Sequence, residues 1–147
     1  MLRVTGTDEI ETFRRRRRGR QTPVTLRQQL AHPGNSGLTL SRYPYYDAPR
    51  RAVAFERMLE HLGRLPAGEV VLLHACCHNP TGVDLDPAQW NAVADVLEQR
   101  SLVPFVDLAY QGFGDDLDTD AAGLRLLAGR LPTLLLAISC SKNFGLY

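Results

Sequence analysis

The chain has 147 residues, of which 44% are hydrophobic and 22% are charged, and its formal net charge is +1. This composition is typical of a globular protein and gives no whole-chain argument for binding nucleic acid or a membrane. No apolar run approaches the roughly 20 residues that span a bilayer, and the first residues lack the basic, apolar, small-residue order of a secretory signal. Three cysteines are too few for a disulfide framework, which predicts reduced thiols and a cytoplasmic protein.

Residues 1–37 are predicted to form a separate basic segment, because no regular hydrophobic pattern runs through them. Five consecutive arginines occupy residues 14–18, and a polar stretch follows to residue 35. A run of like charges is usually solvated and poorly ordered. A basic run can also bind nucleic acid, so an interaction module built on it remains an alternative.

From residue 38 to 147 the hydrophobic pattern alternates between helical spacing and short apolar runs. It predicts helices at residues 51–65, 86–100 and 121–131, and strands at residues 69–75, 103–108 and 134–139. Asp86, Pro87 and Gln89 have the spacing of a capped helix start. Strands that alternate with helices predict an α/β protein with a parallel sheet.

The reactive side chains follow the three predicted strands, in residues 74–82, 107–112 and 139–147. In parallel sheets, ligands bind beyond the carboxyl ends of the strands. Lys142 is the only lysine among 17 basic residues, and a lysine amine, unlike arginine, can lose its proton and attack a carbonyl. Asp107 ends an apolar strand, where a carboxylate requires a cationic partner such as a protonated pyridine nitrogen.

Three segments resemble the aspartate/aromatic aminotransferases, which are class I members of the fold-type I pyridoxal-phosphate enzymes. They are HACCHNPTG at residues 74–82, FVDLAYQGF at 105–113 and SCSKNFGLY at 139–147. Their order and separations match the family as well as their wording does. YPYYD at residues 43–47 and PAQW at 87–90 extend the resemblance over residues 38–147.

The resemblance implies a role for six residues at a pyridoxal 5'-phosphate site. Lys142 corresponds to the catalytic lysine that bonds the cofactor and moves a proton, and Asp107 to the carboxylate paired with the pyridine nitrogen. The remaining correspondences are Asn79 and Tyr110 as donors to the phenolic oxygen, Ser139 as a phosphate ligand and His74 as a support for the carboxylate. The bond between Asn79 and Pro80 is implied to be cis.

The resemblance also implies a partial large domain, an incomplete three-layer α/β/α arrangement with a parallel sheet. The family transfers amino groups between aspartate, glutamate or aromatic amino acids and 2-oxo acids, and its members are homodimers without nucleic-acid or membrane partners. Three features of the family have no counterparts here: its glycine-rich phosphate loop, the arginine that completes its phosphate site and the arginine that binds the substrate α-carboxylate. We therefore expect a truncated aminotransferase with negligible activity alone, and a non-catalytic pseudogene product is the alternative.

Two further interpretations concern residues 24–36 and residues 74–78. Residues 24–36 lack the tryptophan that the family stacks on its cofactor, and one hypothesis is a frameshift, because codons for residues 30–36 can encode a family-like segment one base later. Residues 74–78 contain two histidines and two cysteines, which suggests a metal site. Adjacent cysteines on a strand point to opposite faces, so we predict that this segment binds no metal.

Overall fold

The computed structural model describes residues 9–15 and 38–146, with the backbone alone for residues 9–15 and 38–40. The strands are β1 (Glu9–Arg15), β2 (Leu38–Pro44), β3 (Tyr46–Asp47), β4 (Ala52–Val53), β5 (Val70–His74), β6 (Val103–Leu108) and β7 (Leu135–Ile138). The helices are α1 (Phe55–Arg64), α2 (Pro87–Gln99) and α3 (Ala122–Arg130). Among the described residues, no helix combines the length and apolarity required to cross a bilayer.

The main sheet has five strands in the order β2-β1-β5-β6-β7. Strands β5, β6 and β7 are parallel to one another, which confirms the predicted α/β fold with a parallel sheet. Strand β1 is antiparallel to both β2 and β5, so the sheet as a whole is mixed. Strand β1 comes from the basic segment at residues 1–37, whose other residues lie outside the described part of the chain. Its separation from residues 38–147 stays a prediction.

Helix α1 begins four residues later than the helical spacing of residues 51–65 predicts. The preceding residues form the short antiparallel pair of β3 and β4, and the Ala54 N–H donates to the Tyr45 carbonyl at 2.7 Å. The helix ends before Leu65, whose ψ of 143° is extended as expected for a residue that precedes proline. Met58 and Leu62 are buried on its inner side.

Helix α2 begins at the predicted position. The Asp86 side chain accepts a hydrogen bond from the Gln89 N–H at 2.7 Å, and the Asp86 N–H donates to Gln89 Oε1 at 3.0 Å. This reciprocal pair satisfies two backbone donors at the helix start, and Pro87 lacks the donor that would otherwise be unsatisfied. Trp90 lies on the buried face of this helix.

The three helices form a continuous layer, in which α2 contacts both α1 and α3. Arg130 of α3 bridges Asp95 and Glu98 of α2 with nitrogen–oxygen distances of 2.7 Å. On β7, exposure alternates, and Leu136 and Ile138 are 44% and 55% exposed. The helical layer is one of the two helical layers in the predicted three-layer arrangement, and the described residues include no helix that covers Leu136 or Ile138.

The core lies between the sheet and the helical layer. Its fully enclosed side chains come from β2, α1, β5, α2, β6 and α3 and include Tyr43, Met58, Leu62, Leu73, Leu97, Leu108 and Leu127. The Tyr43 hydroxyl donates to the Leu72 carbonyl at 2.6 Å, which satisfies the one polar group of this buried ring. The core therefore positions β5 and β6, and these strands carry the first candidate site residues, His74 and Asp107.

Candidate functional site

The carboxyl ends of β5, β6 and β7 lie side by side at one edge of the sheet. His74 of β5 pairs with Asp107 of β6, and Asp107 pairs in turn with Ala137 of β7. The pairing continues beyond the strands, since the Ala75 N–H donates to the Asp107 carbonyl at 3.0 Å. The register therefore places His74 and Asp107 next to each other and leads the chain from β7 towards Ser139 and Lys142.

His74 is oriented by the loop that follows it. The Asn79 N–H donates to His74 Nδ1 at 3.4 Å, so a neutral ring carries its proton on Nε2. Burial lowers the pKa of His74, although the negative charges of Asp107 and Asp84 oppose this effect. The result is a neutral imidazole with one N–H donor, held next to the Asp107 carboxylate.

A network of polar contacts builds the loop between β5 and α2. Asp84 accepts hydrogen bonds from the Cys77 N–H at 2.6 Å and the His78 N–H at 2.7 Å. His78 Nδ1 lies 2.7 Å from Thr81 Oγ1, and its ring stacks on Tyr45 with centroids 4.0 Å apart. Burial, followed by the charge of His74, lowers the pKa of His78 to about 3. This ring is therefore a neutral structural group.

The bond between Asn79 and Pro80 is cis, which confirms the expectation taken from the family resemblance. Asn79 lies in the same loop as the Thr81 and Asp84 contacts and is partly buried.

Lys142 lies over Tyr110, with Nζ 5.7 Å from the centroid of the phenol ring. This distance is within the range of a cation–π interaction. Asn143, the next residue, donates from Nδ2 to the Gln111 carbonyl at 2.8 Å, which ties the loop after β7 to the loop after β6. The Lys142 amine and the Tyr110 phenol therefore lie close together, and the Asn143 side chain links the two loops that carry them.

Ser139 follows β7 directly. Its Oγ lies 2.8 Å from the Ser141 Oγ, and its N–H donates to the Leu108 carbonyl at 3.4 Å. The two hydroxyls therefore form a small polar group at the same sheet edge as Asp107. Its role as a phosphate ligand stays a prediction.

The sequence reasoning missed Asp120, which organises the loop after Tyr110. Its buried carboxylate accepts hydrogen bonds from the N–H groups of Gly112, Gly114 and Asp115 at 2.7, 3.0 and 3.1 Å. Burial favours the neutral acid, but these three bonds together lower the pKa of Asp120. In the sequence it is one of four aspartates at residues 115–120, and only its spacing to the glycines distinguishes it.

Cys76 and Cys77 do not lie on a strand, so the expectation that their side chains point to opposite faces is wrong. Strand β5 ends at His74, and Cys77 has a left-handed backbone with φ of 48°, so the two cysteines do not alternate across a strand. The sulfur atoms of Cys76 and Cys77 and a carboxylate oxygen of Asp120 all lie within 4.8 Å of one another. Burial raises the pKa of both thiols, as do the neighbouring carboxylates.

The basic run at residues 14–18 contributes its first two arginines to β1, and residues 16–18 lie outside the described residues.

The fold and the sheet-edge residues together define a class of protein. The family model described as aminotransferase class I and II matches residues 34–147. The chain therefore belongs to the class I and II aminotransferases, a family of pyridoxal-phosphate-dependent enzymes that act on amino acids and 2-oxo acids.

Aromatic-amino-acid, tyrosine and aspartate aminotransferases are among the relatives with high similarity. An aromatic-amino-acid aminotransferase from Pseudomonas aeruginosa is 57% identical over 112 residues, which cover 76% of this chain and 28% of that protein. An aspartate aminotransferase from Haemophilus influenzae is 50% identical over 111 residues, with the same two shares. The chain spans about 28% of the length of these curated relatives.

A solved structure shows the same fold. The aromatic-amino-acid aminotransferase from Burkholderia pseudomallei, covalently bound to pyridoxal phosphate, superposes with a TM-score of 0.70 at 52% identity. The match covers 71% of this chain and 26% of that chain.

Proposed function

We propose that this chain carries the cofactor-binding part of a pyridoxal-phosphate-dependent aminotransferase that uses aspartate, glutamate or aromatic amino acids with 2-oxo acids. The observation that carries the proposal is the convergence of unlike reactive groups at one sheet edge. His74 and Asp107 are paired across β5 and β6, and the Lys142 amine lies over the Tyr110 ring. Relatives with aromatic and with aspartate specificity match at 57% and 50% identity, so the proposal includes both substrate classes.

The donor set fits pyridoxal phosphate. When bound, this cofactor supplies an aldehyde that bonds an amine and a protonated ring that accepts electrons. Lys142 is the one lysine that can supply the amine. Its Nζ would bond the cofactor and later carry the proton of the substrate α-carbon.

Asp107 would hold the proton on the pyridine nitrogen. A carboxylate at the end of a buried strand is stabilised by a cation, and the ring nitrogen provides one. His74 supports this role because its Nδ1 already accepts from Asn79, which leaves Nε2–H as its donor. A neutral His74 would leave the ring nitrogen of the cofactor as the cationic partner of Asp107.

The phenolic oxygen and the phosphate would be bound by neutral donors. Asn79 and Tyr110 each have a side-chain donor for the phenolic oxygen, and Ser139 has a hydroxyl for the phosphate. The contact between Asn143 and the Gln111 carbonyl fixes the spacing of the two loops that bear Lys142 and Tyr110. We further propose that the protein acts as a homodimer in the cytoplasm.

The test is capture of the cofactor by the 147-residue chain. The protein is incubated with increasing pyridoxal phosphate and reduced with borohydride, and the modified residue is identified by mass spectrometry. We expect one saturable adduct on Lys142, because the N-terminal amine is the only other primary amine of the unmodified chain. Lys142→Arg should abolish the adduct, and Asp107→Asn should lower its occupancy at equal cofactor concentration.

A matched control separates a folded site from chemical labelling. Asp95→Asn removes an exposed carboxylate on α2 and should leave the occupancy unchanged. Unsaturable labelling that is equal at Lys142 and the N-terminal amine, or labelling indifferent to Asp107, would contradict the proposed site. Turnover is measured separately with aspartate or tyrosine and 2-oxoglutarate, and we expect it to be negligible for this chain.

A further inference from the structure

Two thiols and a carboxylate meet at a place that the proposed amino-transfer chemistry does not use. Cys76 and Cys77 follow β5, and Asp120 precedes α3, yet one ligand atom from each lies within 4.8 Å of the other two. Cys76 and Asp120 are buried, whereas Cys77 is partly exposed. The cluster is therefore enclosed on most sides and reachable from solvent through Cys77.

The backbone directs both thiols to the same side. Cys77 has φ of 48°, a left-handed conformation that is unfavourable for a residue with a side chain. The Cys77 and His78 N–H groups donate to the two carboxylate oxygens of Asp84, and these bonds hold the turn. The loop thus presents adjacent sulfur atoms together, as a chelating pair requires.

Asp120 is fixed independently of the thiols. Three backbone N–H groups, from Gly112, Gly114 and Asp115, donate to its two oxygens. Carboxylates that bind metals are commonly held by such outer hydrogen bonds. Oδ2 accepts two of the three bonds and Oδ1 accepts one, so Oδ1 keeps a lone pair for a cation.

We propose that Cys76, Cys77 and Asp120 form a binding site for one thiophilic divalent cation, with Zn²⁺ as the reference ion. Two thiolates and one carboxylate supply three protein ligands, and water takes the fourth tetrahedral position. With Zn–S bonds of about 2.3 Å and Zn–O bonds of about 2.0–2.2 Å, tetrahedral ligand atoms are about 3.5–3.8 Å apart. The ligand atoms of the cluster are at most 4.8 Å apart, so the widest pair has to approach by about 1 Å when the ion binds.

The binding step requires no oxidant or reductant. The cation forms two metal–sulfur bonds, and the two thiol protons pass to the buffer. Asp120 is already a carboxylate and contributes its lone pair without losing a proton. The acidic neighbours Asp84 and Asp115 add negative charge around the thiols, which favours a cation over an anion at this site.

The experiment titrates the 147-residue chain with Zn²⁺ under a non-thiol reductant, and with Co²⁺ to detect sulfur-to-metal charge-transfer absorption. We expect one ion per chain, with charge-transfer bands that show thiolate ligands, and no binding of Mg²⁺, which prefers oxygen ligands. Cys76→Ser and Cys77→Ser should each weaken binding by at least about 100-fold, because loss of even an outer partner costs 10–100-fold.

Cys140 provides the matched control, since it is exposed and lies outside the cluster. Cys140→Ser should bind Zn²⁺ like the unmodified chain. Asp120→Asn can also loosen the loop after Tyr110, so the decisive variant is Cys77→Ser, whose circular dichroism is compared with that of the parent. Binding unchanged in Cys77→Ser, binding lost equally in Cys140→Ser, or no saturable binding at all would each overturn the proposal.

Discussion

Replacement of Gly123 by alanine tests the packing between α3 and α2. A Cβ atom at residue 123 would lie 2.3 Å from Trp90 Cε2 and 2.6 Å from Cδ2. Carbon atoms pack at about 3.5–4.0 Å, so the indole ring or the helix has to move by about 1.2 Å. Trp90 is only 5% exposed, and such overpacking costs about 1–3 kcal/mol.

The helix propensity of alanine opposes this cost. In a helix, alanine is more stable than glycine by about 1 kcal/mol, so the net destabilisation of Gly123→Ala is about 0–2 kcal/mol. Gly129 provides the matched control, because it lies in the same helix, also one residue from an end, and has no atom within 4 Å of an added Cβ. Gly129→Ala should therefore stabilise the protein by up to about 1 kcal/mol.

Urea unfolding of both variants, followed by tryptophan fluorescence, measures the difference directly. The propensity contribution cancels between the two glycines, so the difference in unfolding free energy reports the overpacking cost alone, about 1–3 kcal/mol. Equal stability of the two variants would refute the reasoning, since it would mean that Trp90 accommodates the methyl group without cost.

Two further predictions concern the helix start and the loop histidine. Asp86→Ala removes the side-chain oxygen that accepts from the Gln89 N–H and should lower the unfolding free energy by about 1 kcal/mol in urea. An unchanged midpoint would contradict this. Burial and the charge of His74 lower the pKa of His78 from 6.5 to about 3, so the unfolded chain binds one more proton between these pH values. The stability contributed by neutral His78 is therefore fully present above pH 6.5 and falls by up to about 1.4 kcal/mol per pH unit as the pH drops. In urea unfolding at pH 5–7, the unfolding free energy of His78→Gln should depend less steeply on pH than that of the parent chain. An unchanged pH dependence would contradict the assignment.

Much of the fold could be predicted from the sequence because hydrophobic spacing and helix signals agree. Strand β6 has the predicted bounds, and α2 begins at the predicted capping box. The late start of α1 could not be predicted, because residues 51–54 have helical spacing and only tertiary pairing places Ala52–Val53 in β4. The antiparallel position of β1 was also missed, since its partners, β2 and β5, are distant in sequence.

The short sequence motifs predicted the family and one backbone feature of the candidate site. The wording around Lys142, Asp107 and Asn79 indicated the family and the cis bond. The cluster of cysteines with Asp120 could not be predicted, because it depends on a left-handed residue and on a contact 43 or 44 residues away in the chain. The apolar run before Cys76 predicts that the strand continues through both cysteines. In the structure β5 ends at His74, and the left-handed backbone of Cys77 forms a turn.

The alignment of His74 with Asp107 is set by amide–carbonyl pairing between β5 and β6, and every residue type except proline supplies both backbone groups for it. Apolar residues within these strands can therefore drift during evolution, provided that volume and strand pairing are preserved. Selection on catalysis then acts mainly on the strand ends and the loops that follow them, and selection on stability acts on the strand interiors. The architecture thus separates two kinds of evolutionary constraint along a single strand.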